Sequence, residues 1–159
     1  MRCDMVRWID GFYAGLIAGV TSALFYAVVT VAWLHDTTLG AFFAQIPQAL
    51  PPFHGAPPSG ALIALGGVLY FSLAAVFGIV YALLAKRIAS MWQAPTSVLW
   101  GLFYGLVVWW VLNDVLVPLT AAVVVQPLWE GMVGTVLGYG LVLSELTTMA
   151  HRRAAGAAP

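Results

Sequence analysis

The residues best suited to chemistry lie where the apolar segments of this chain end. His35 and Asp36 follow the first apolar segment, Asn113 and Asp114 end the third, and Glu130 begins the fourth. Carboxylates beside an imidazole could bind a divalent metal, or could change charge near neutral pH, because histidine titrates in that range. Ordinary loop polarity explains the same residues without a function. We call these five residues the outer polar cluster and treat it as a candidate site.

Known catalytic motifs are absent from the sequence. The chain has no Gly-x-Ser-x-Gly, no His-Glu-x-x-His and no phosphate-binding loop. Its three histidines lie at or beyond the ends of the apolar segments, whereas a haem held by two histidines needs them inside facing helices. The single cysteine, Cys3, excludes an internal disulfide. We therefore expect no catalytic residue, no cofactor and no bound metal.

The composition predicts a membrane protein. Hydrophobic residues make up 62% of the chain and charged residues 8%, whereas soluble domains carry about 25% charged residues. So few charges cannot cover a surface in water, so most of this surface must face lipid. Six basic and six acidic residues cancel, and no basic patch for nucleic acid results. The expected partners are the lipid bilayer and either further copies of the chain or subunits of a membrane complex, with no nucleic acid.

Four apolar segments are long enough to cross a bilayer. Crossing a hydrocarbon core of about 30 Å takes about 20 residues of helix, and only helices satisfy their own backbone groups in lipid. The predicted fold class is an all-α integral membrane protein, a compact four-transmembrane-helix bundle that forms a single domain over residues 1–153. The segments are 11–34, 60–85, 97–117 and 128–149, and residues 154–159 are predicted to be a disordered tail.

The basic residues predict how these helices are oriented. The loops at about 35–59 and 118–127 contain no lysine or arginine. By the positive-inside rule, both termini and the loop between the second and third helices are expected in the cytoplasm. These three regions hold all six basic residues: Arg2, Arg7, Lys86, Arg87, Arg152 and Arg153.

The first outer loop has a structure of its own in this prediction. The stretch Thr38–Leu50 is apolar but too short to cross a bilayer, and Pro47 and four later prolines interrupt the loop. We expect a short interfacial helix, either lying on the outer surface or tucked against the bundle, and then an extended proline-rich return.

Small residues recur on one face of each predicted helix. Between helices in lipid, close packing depends on small residues, since lipid is as apolar as the helices. The pattern indicates a glycine zipper, with a seam expected between the first and fourth helices; a glycine-lined pore or lipid slot is the alternative. The glycines concerned are Gly11, Gly15, Gly19, Gly78, Gly101, Gly105, Gly134 and Gly138.

Several short stretches are similar to those of a known family. They are Gly15–Ala23, Phe71–Leu73 with Val80–Tyr81, Trp92–Gln93 and Pro127–Glu130. In these stretches the chain resembles the YagU family of bacterial inner-membrane proteins. The resemblance implies a small, multi-pass protein of the bacterial inner membrane, linked to survival in acid and without an established catalytic activity. Glu130 is the one charged position that the resemblance carries over.

Two functions remain open from the sequence. The first is a non-catalytic accessory or structural membrane protein, or one of a stress response. The alternative is a small transporter or channel component that moves a proton, an ion or a small solute through the outer polar cluster.

Overall fold

The computed structural model describes residues 8–29, 38–48, 50–93, 95–116 and 128–156. All regular structure in these ranges is helical. The α-helices are α1 Trp8–Tyr26, α2 Leu39–Gln48, α3 Gly60–Arg87, α4 Thr96–Trp110, α5 Leu128–Val133 and α6 Val142–Gly156. Wider π-helical turns extend α4 through Val111–Leu116 and join α5 to α6 through Gly134–Leu141.

Four helical segments of the described chain are long and apolar enough to cross a membrane. They are span 1 (Trp8–Val29), span 2 (Gly60–Arg87), span 3 (Thr96–Asp114) and span 4 (Gly131–Ala154). The prediction of an all-helical chain with four candidate membrane-spanning helices is therefore confirmed for the described residues. The end of the chain differs, because α6 continues to Gly156, into residues assigned above to a disordered tail. Alanine, which fills most of this stretch, is the strongest helix former.

Local chemistry sets the ends of span 2. At its start, the Ser59 side chain accepts a hydrogen bond from the backbone N–H of Leu62, at 3.3 Å, and so satisfies one donor of the first turn. Lys86 and Arg87 form the last turn, where positive charge is favoured by the helix dipole. The backbone is extended at Ile88, which ends the helix.

The short helix α2 packs against span 2. Ala44 and Pro47 are its buried residues, and Pro47 lies inside the helix rather than ending it earlier. Proline has no N–H, so the carbonyl of Phe43, four residues before it, loses its usual helical donor. That carbonyl lies directly against Gly66 of span 2, where an added Cβ would collide with it. The freed carbonyl is therefore covered by a glycine backbone, and α2 is held close to the span.

The spans pack in a definite order. Span 1 contacts span 2, and span 4 contacts both span 1 and span 3. The buried core between them is rich in tyrosine and alanine rather than leucine or isoleucine. Its largest members include Tyr81, Tyr104, Tyr139 and Leu143.

Candidate functional site

The outer polar cluster is described only in part. Asn113 and Asp114 lie in the π-helical end of span 3. The Asn113 side-chain amide donates to the carbonyl of Trp109 at 2.9 Å, within its own helix, and Asp114 is exposed. Glu130 lies in α5, but its side chain is outside the description, as are His35 and Asp36. The structure thus describes the side chains of two of the five residues, which are neighbours in the sequence, and the cluster as a whole stays a prediction.

A metal centre has no support among the described residues. No group of three or more histidine, cysteine, aspartate or glutamate side chains in these ranges lies close enough together to hold a metal ion.

The closest helix contact joins spans 1 and 2 through glycine. A Cβ added to Gly78 would lie 2.6 Å from the Cα of Gly15, and one added to Gly11 would lie 2.7 Å from the carbonyl oxygen of Gly78. Real Cβ atoms essentially never come within 3.0 Å of such atoms. At Gly19 an added Cβ would lie 2.8 Å from the Cβ of Ala74. The two backbones therefore touch, and the glycine stripe of span 1 faces span 2 rather than the expected span 4.

Span 4 packs between spans 1 and 3 and contacts each of them through a glycine, on opposite faces of span 4. A Cβ on Gly138 would lie 2.9 Å from the Cα of Ser22 in span 1. Two residues later, a Cβ on Gly140 would lie 2.8 Å from the Cα of Gly105 in span 3. Both glycines belong to the π-helical segment Gly134–Leu141. This segment therefore lets one helix approach two neighbours at the level of the backbone.

The other predicted packing glycines divide into two kinds. A Cβ on Gly101 would lie 2.7 Å from the carbonyl oxygen of Gly140, and one on Gly105 would lie 2.8 Å from the Cα of Val136. Gly134 is different, because its nearest neighbour would be a ring carbon of Phe25 at 3.6 Å, an ordinary contact. Gly140 is a close-contact position that the sequence interpretation missed, since it does not share a face with Gly134 and Gly138.

Tyrosine hydroxyls tie the spans together in the interior. Tyr139 of span 4 donates to the carbonyl of Ala74, and Tyr104 of span 3 donates to that of Phe77, both at 2.6 Å. Each of these bonds ends on span 2. Tyr81 is also buried, with 1% of its surface exposed, but its hydroxyl has no hydrogen-bond partner in the described structure. The interior thus contains three buried tyrosines, two of which bond to the main chain of span 2.

One end of the helices carries the basic residues, and we call it the basic end. It holds Lys86 and Arg87 at the end of span 2, and Arg152 and Arg153 in α6. The loop between spans 2 and 3 is fixed there, because the ring of Trp92 stacks on that of His151 with centroids 4.4 Å apart and planes 16° apart. Trp100 of span 3 donates its ring N–H to Ser90 of the same loop at 3.1 Å.

An apolar groove runs between spans 1 and 2 on the outer surface of the packed helices. Its volume is about 420 Å³. Gly67 lines it, and a Cβ added there would meet nothing within 4 Å. The other lining residues are Phe12, Leu16, Ala64, Val68, Phe71, Ser72 and Ala75.

The comparisons with known proteins found no family model, no curated protein and no solved structure that matches the chain. The resemblance to the YagU family therefore stays a prediction that rests on the short stretches quoted above.

Proposed function

We propose that the chain is a non-catalytic structural or accessory protein of the bacterial inner membrane. In this proposal its four spans form one transmembrane bundle, both termini are cytoplasmic, and α2 lies at the opposite interface. The orientation rests on the basic residues of the termini and of the loop between spans 2 and 3.

The observation that carries this proposal is how the interior is filled. Glycine backbones touch between spans 1 and 2, and again between spans 3 and 4. The tyrosines between them donate hydrogen bonds to main-chain carbonyls. Such contacts suit a rigid scaffold, since small residues and interhelical hydrogen bonds are what holds helices together in lipid. A route for a solute would need room that these side chains occupy.

The polar residues at the end of span 3 agree with a scaffold. Asp114 is exposed near the end of span 3, and Asn113 bonds to its own helix. Proton relays and ion-coupled carriers place paired ionisable groups inside the membrane. The link to acid survival follows only from the YagU resemblance and remains part of the proposal, as does assembly with further copies or with partner subunits.

A flux measurement tests the proposal against the transporter alternative. The full-length protein is reconstituted into proteoliposomes, and the decay of an imposed pH gradient is followed with an entrapped dye. We expect the gradient to decay at the rate of protein-free vesicles, in the wild type and in Glu130→Gln alike. A faster, saturable decay in the wild type that Glu130→Gln abolishes would replace the scaffold with a transporter.

Cysteine labelling tests the orientation. With Cys3→Ser as the background, Gln48→Cys and Gln93→Cys place single thiols at opposite ends of the bundle. An impermeant maleimide added to intact cells or spheroplasts is expected to label position 48 and not position 93. Labelling of position 93 alone would reverse the proposed orientation.

A further inference from the structure

The basic end has a surface of unpaired positive charge. Lys86, Arg87, Arg152 and Arg153 are all exposed, and none of them forms an ion pair in the part of the chain that the structure describes. The nearest acid along α6 is Glu145, seven residues before Arg152, or about 10 Å along the helix axis. Within the described residues, these four charges are therefore not neutralised by an ion pair and are available to a partner.

The basic pairs are fixed relative to each other rather than carried on free tails. Lys86 and Arg87 belong to the last turn of a 28-residue helix. Two residues after this helix comes the 3-10 turn Ala89–Trp92, whose Trp92 ring stacks on His151, the residue immediately before Arg152. The stack thus holds the end of span 2 beside the end of span 4. Both pairs lie at the ends of candidate membrane spans, and the ends of helices that cross a bilayer meet its headgroup region.

We propose that the basic end binds the headgroups of anionic phospholipids. Lysine offers a point charge to a phosphate, and arginine offers paired N–H donors that can bind two of its oxygens. Basic side chains next to a membrane span attract anionic lipid by about five-fold in affinity for each residue. The occupant is a lipid because the charged groups lie beside apolar spans whose surface must be covered by acyl chains. This inference is independent of the proposed scaffold function and of which leaflet faces the basic end.

Lipid binding to the full-length protein in a mild detergent tests the proposal. Phosphatidylglycerol or phosphatidylcholine is titrated in, and the bound lipid is counted by native mass spectrometry. The wild type is expected to bind phosphatidylglycerol at least ten-fold more tightly, with a preference that falls as salt is raised, since exposed charges are screened. Equal binding of the two lipids would overturn the proposal.

Two sets of variants identify the residues responsible. Lys86→Gln with Arg87→Gln, and Arg152→Gln with Arg153→Gln, are each expected to remove a large part of the preference, because one basic residue contributes up to about five-fold. The matched control, Arg87→Lys with Arg152→Lys and Arg153→Lys, keeps every charge and should retain most of the preference. Because all four side chains are exposed, the variants should give the circular dichroism and size-exclusion profiles of the wild type.

Two outcomes would contradict the assignment. If all four positions are changed to glutamine and the preference for phosphatidylglycerol is unchanged, the basic end is not the binding surface. If inorganic phosphate at the same concentration displaces phosphatidylglycerol, a soluble phosphate rather than a lipid is the ligand.

Discussion

The glycines of span 2 have opposite surroundings. At two packed positions, Gly66 lies against the Phe43 carbonyl of α2 and Gly78 lies against Gly15 of span 1, with no room for a side chain at either position. At an open position, Gly67 borders the apolar groove and would accept a Cβ without meeting any atom within 4 Å. Neighbouring glycines in one helix thus have different roles, and spacing in the sequence does not reveal which is which.

The difference shows what holds these helices together. A membrane helix gains little from burying leucine against leucine, because lipid offers the same environment. Contact at the level of the backbone brings many atoms within van der Waals range and lets a hydroxyl such as that of Tyr139 reach a carbonyl on the next helix. The packed positions have such close backbone contacts, and Gly67 has none.

The largest expected effect comes from a bulky side chain at a packed position. Gly78→Leu must push span 1 away from span 2, because even a Cβ would lie 2.6 Å from Gly15. Overpacking typically costs about 1–3 kcal/mol where side chains can shift, so we expect the free energy of unfolding to fall by more than about 3 kcal/mol where backbone must move. Unfolding by SDS in mixed micelles, followed by circular dichroism, measures this free energy.

The matched control is Gly67→Leu, which adds the same side chain at the open position of the same helix. Its free energy of unfolding should stay within about 0.5 kcal/mol of the wild type, as for most surface substitutions. Equal losses in Gly78→Leu and Gly67→Leu would remove the distinction between packed and open positions.

A smaller effect is expected from the tyrosine hydroxyls. Tyr139→Phe removes a hydrogen bond to Ala74 and should lower the free energy of unfolding by about 1 kcal/mol. Tyr81→Phe removes a buried hydroxyl that has no partner in the described structure, so stability should be unchanged or should rise. The same SDS titration compares the two variants, and a loss in Tyr81→Phe as large as that in Tyr139→Phe would contradict this description of the interior.

The spans could be predicted from the sequence because length and hydropathy are local properties. Span 2 begins at Gly60, as predicted, and all four spans overlap the predicted segments. The partner of the span 1 glycines could not be predicted, since a glycine stripe permits approach by any helix. The π-helical turn also has no simple sequence signal, and it is the turn that contains Gly138 and Gly140, which face different neighbours.

The short helix α2 and the outer polar cluster also have features that could not be predicted from the sequence. The sequence predicts that Pro47 interrupts the apolar stretch. In the structure Pro47 lies within α2, where the Phe43 carbonyl that it leaves without a donor is covered by Gly66. Gly66 lies nineteen positions after Pro47 in the sequence. The outer polar cluster depends on His35, Asp36 and the Glu130 side chain, which lie outside the description, so its assembly remains a prediction.

Thermal unfolding of Gly66→Ala and Gly67→Ala, measured side by side in one detergent, tests the central claim most directly. The two variants add one methyl group to adjacent positions of one helix, so composition and hydropathy are identical. We predict that Gly66→Ala lowers the melting temperature, with a cost of about 1–3 kcal/mol from the collision with the Phe43 carbonyl. Gly67→Ala should leave it unchanged or raise it slightly, because alanine is the better helix former. Equal melting temperatures, or a loss in Gly67→Ala alone, would contradict the account.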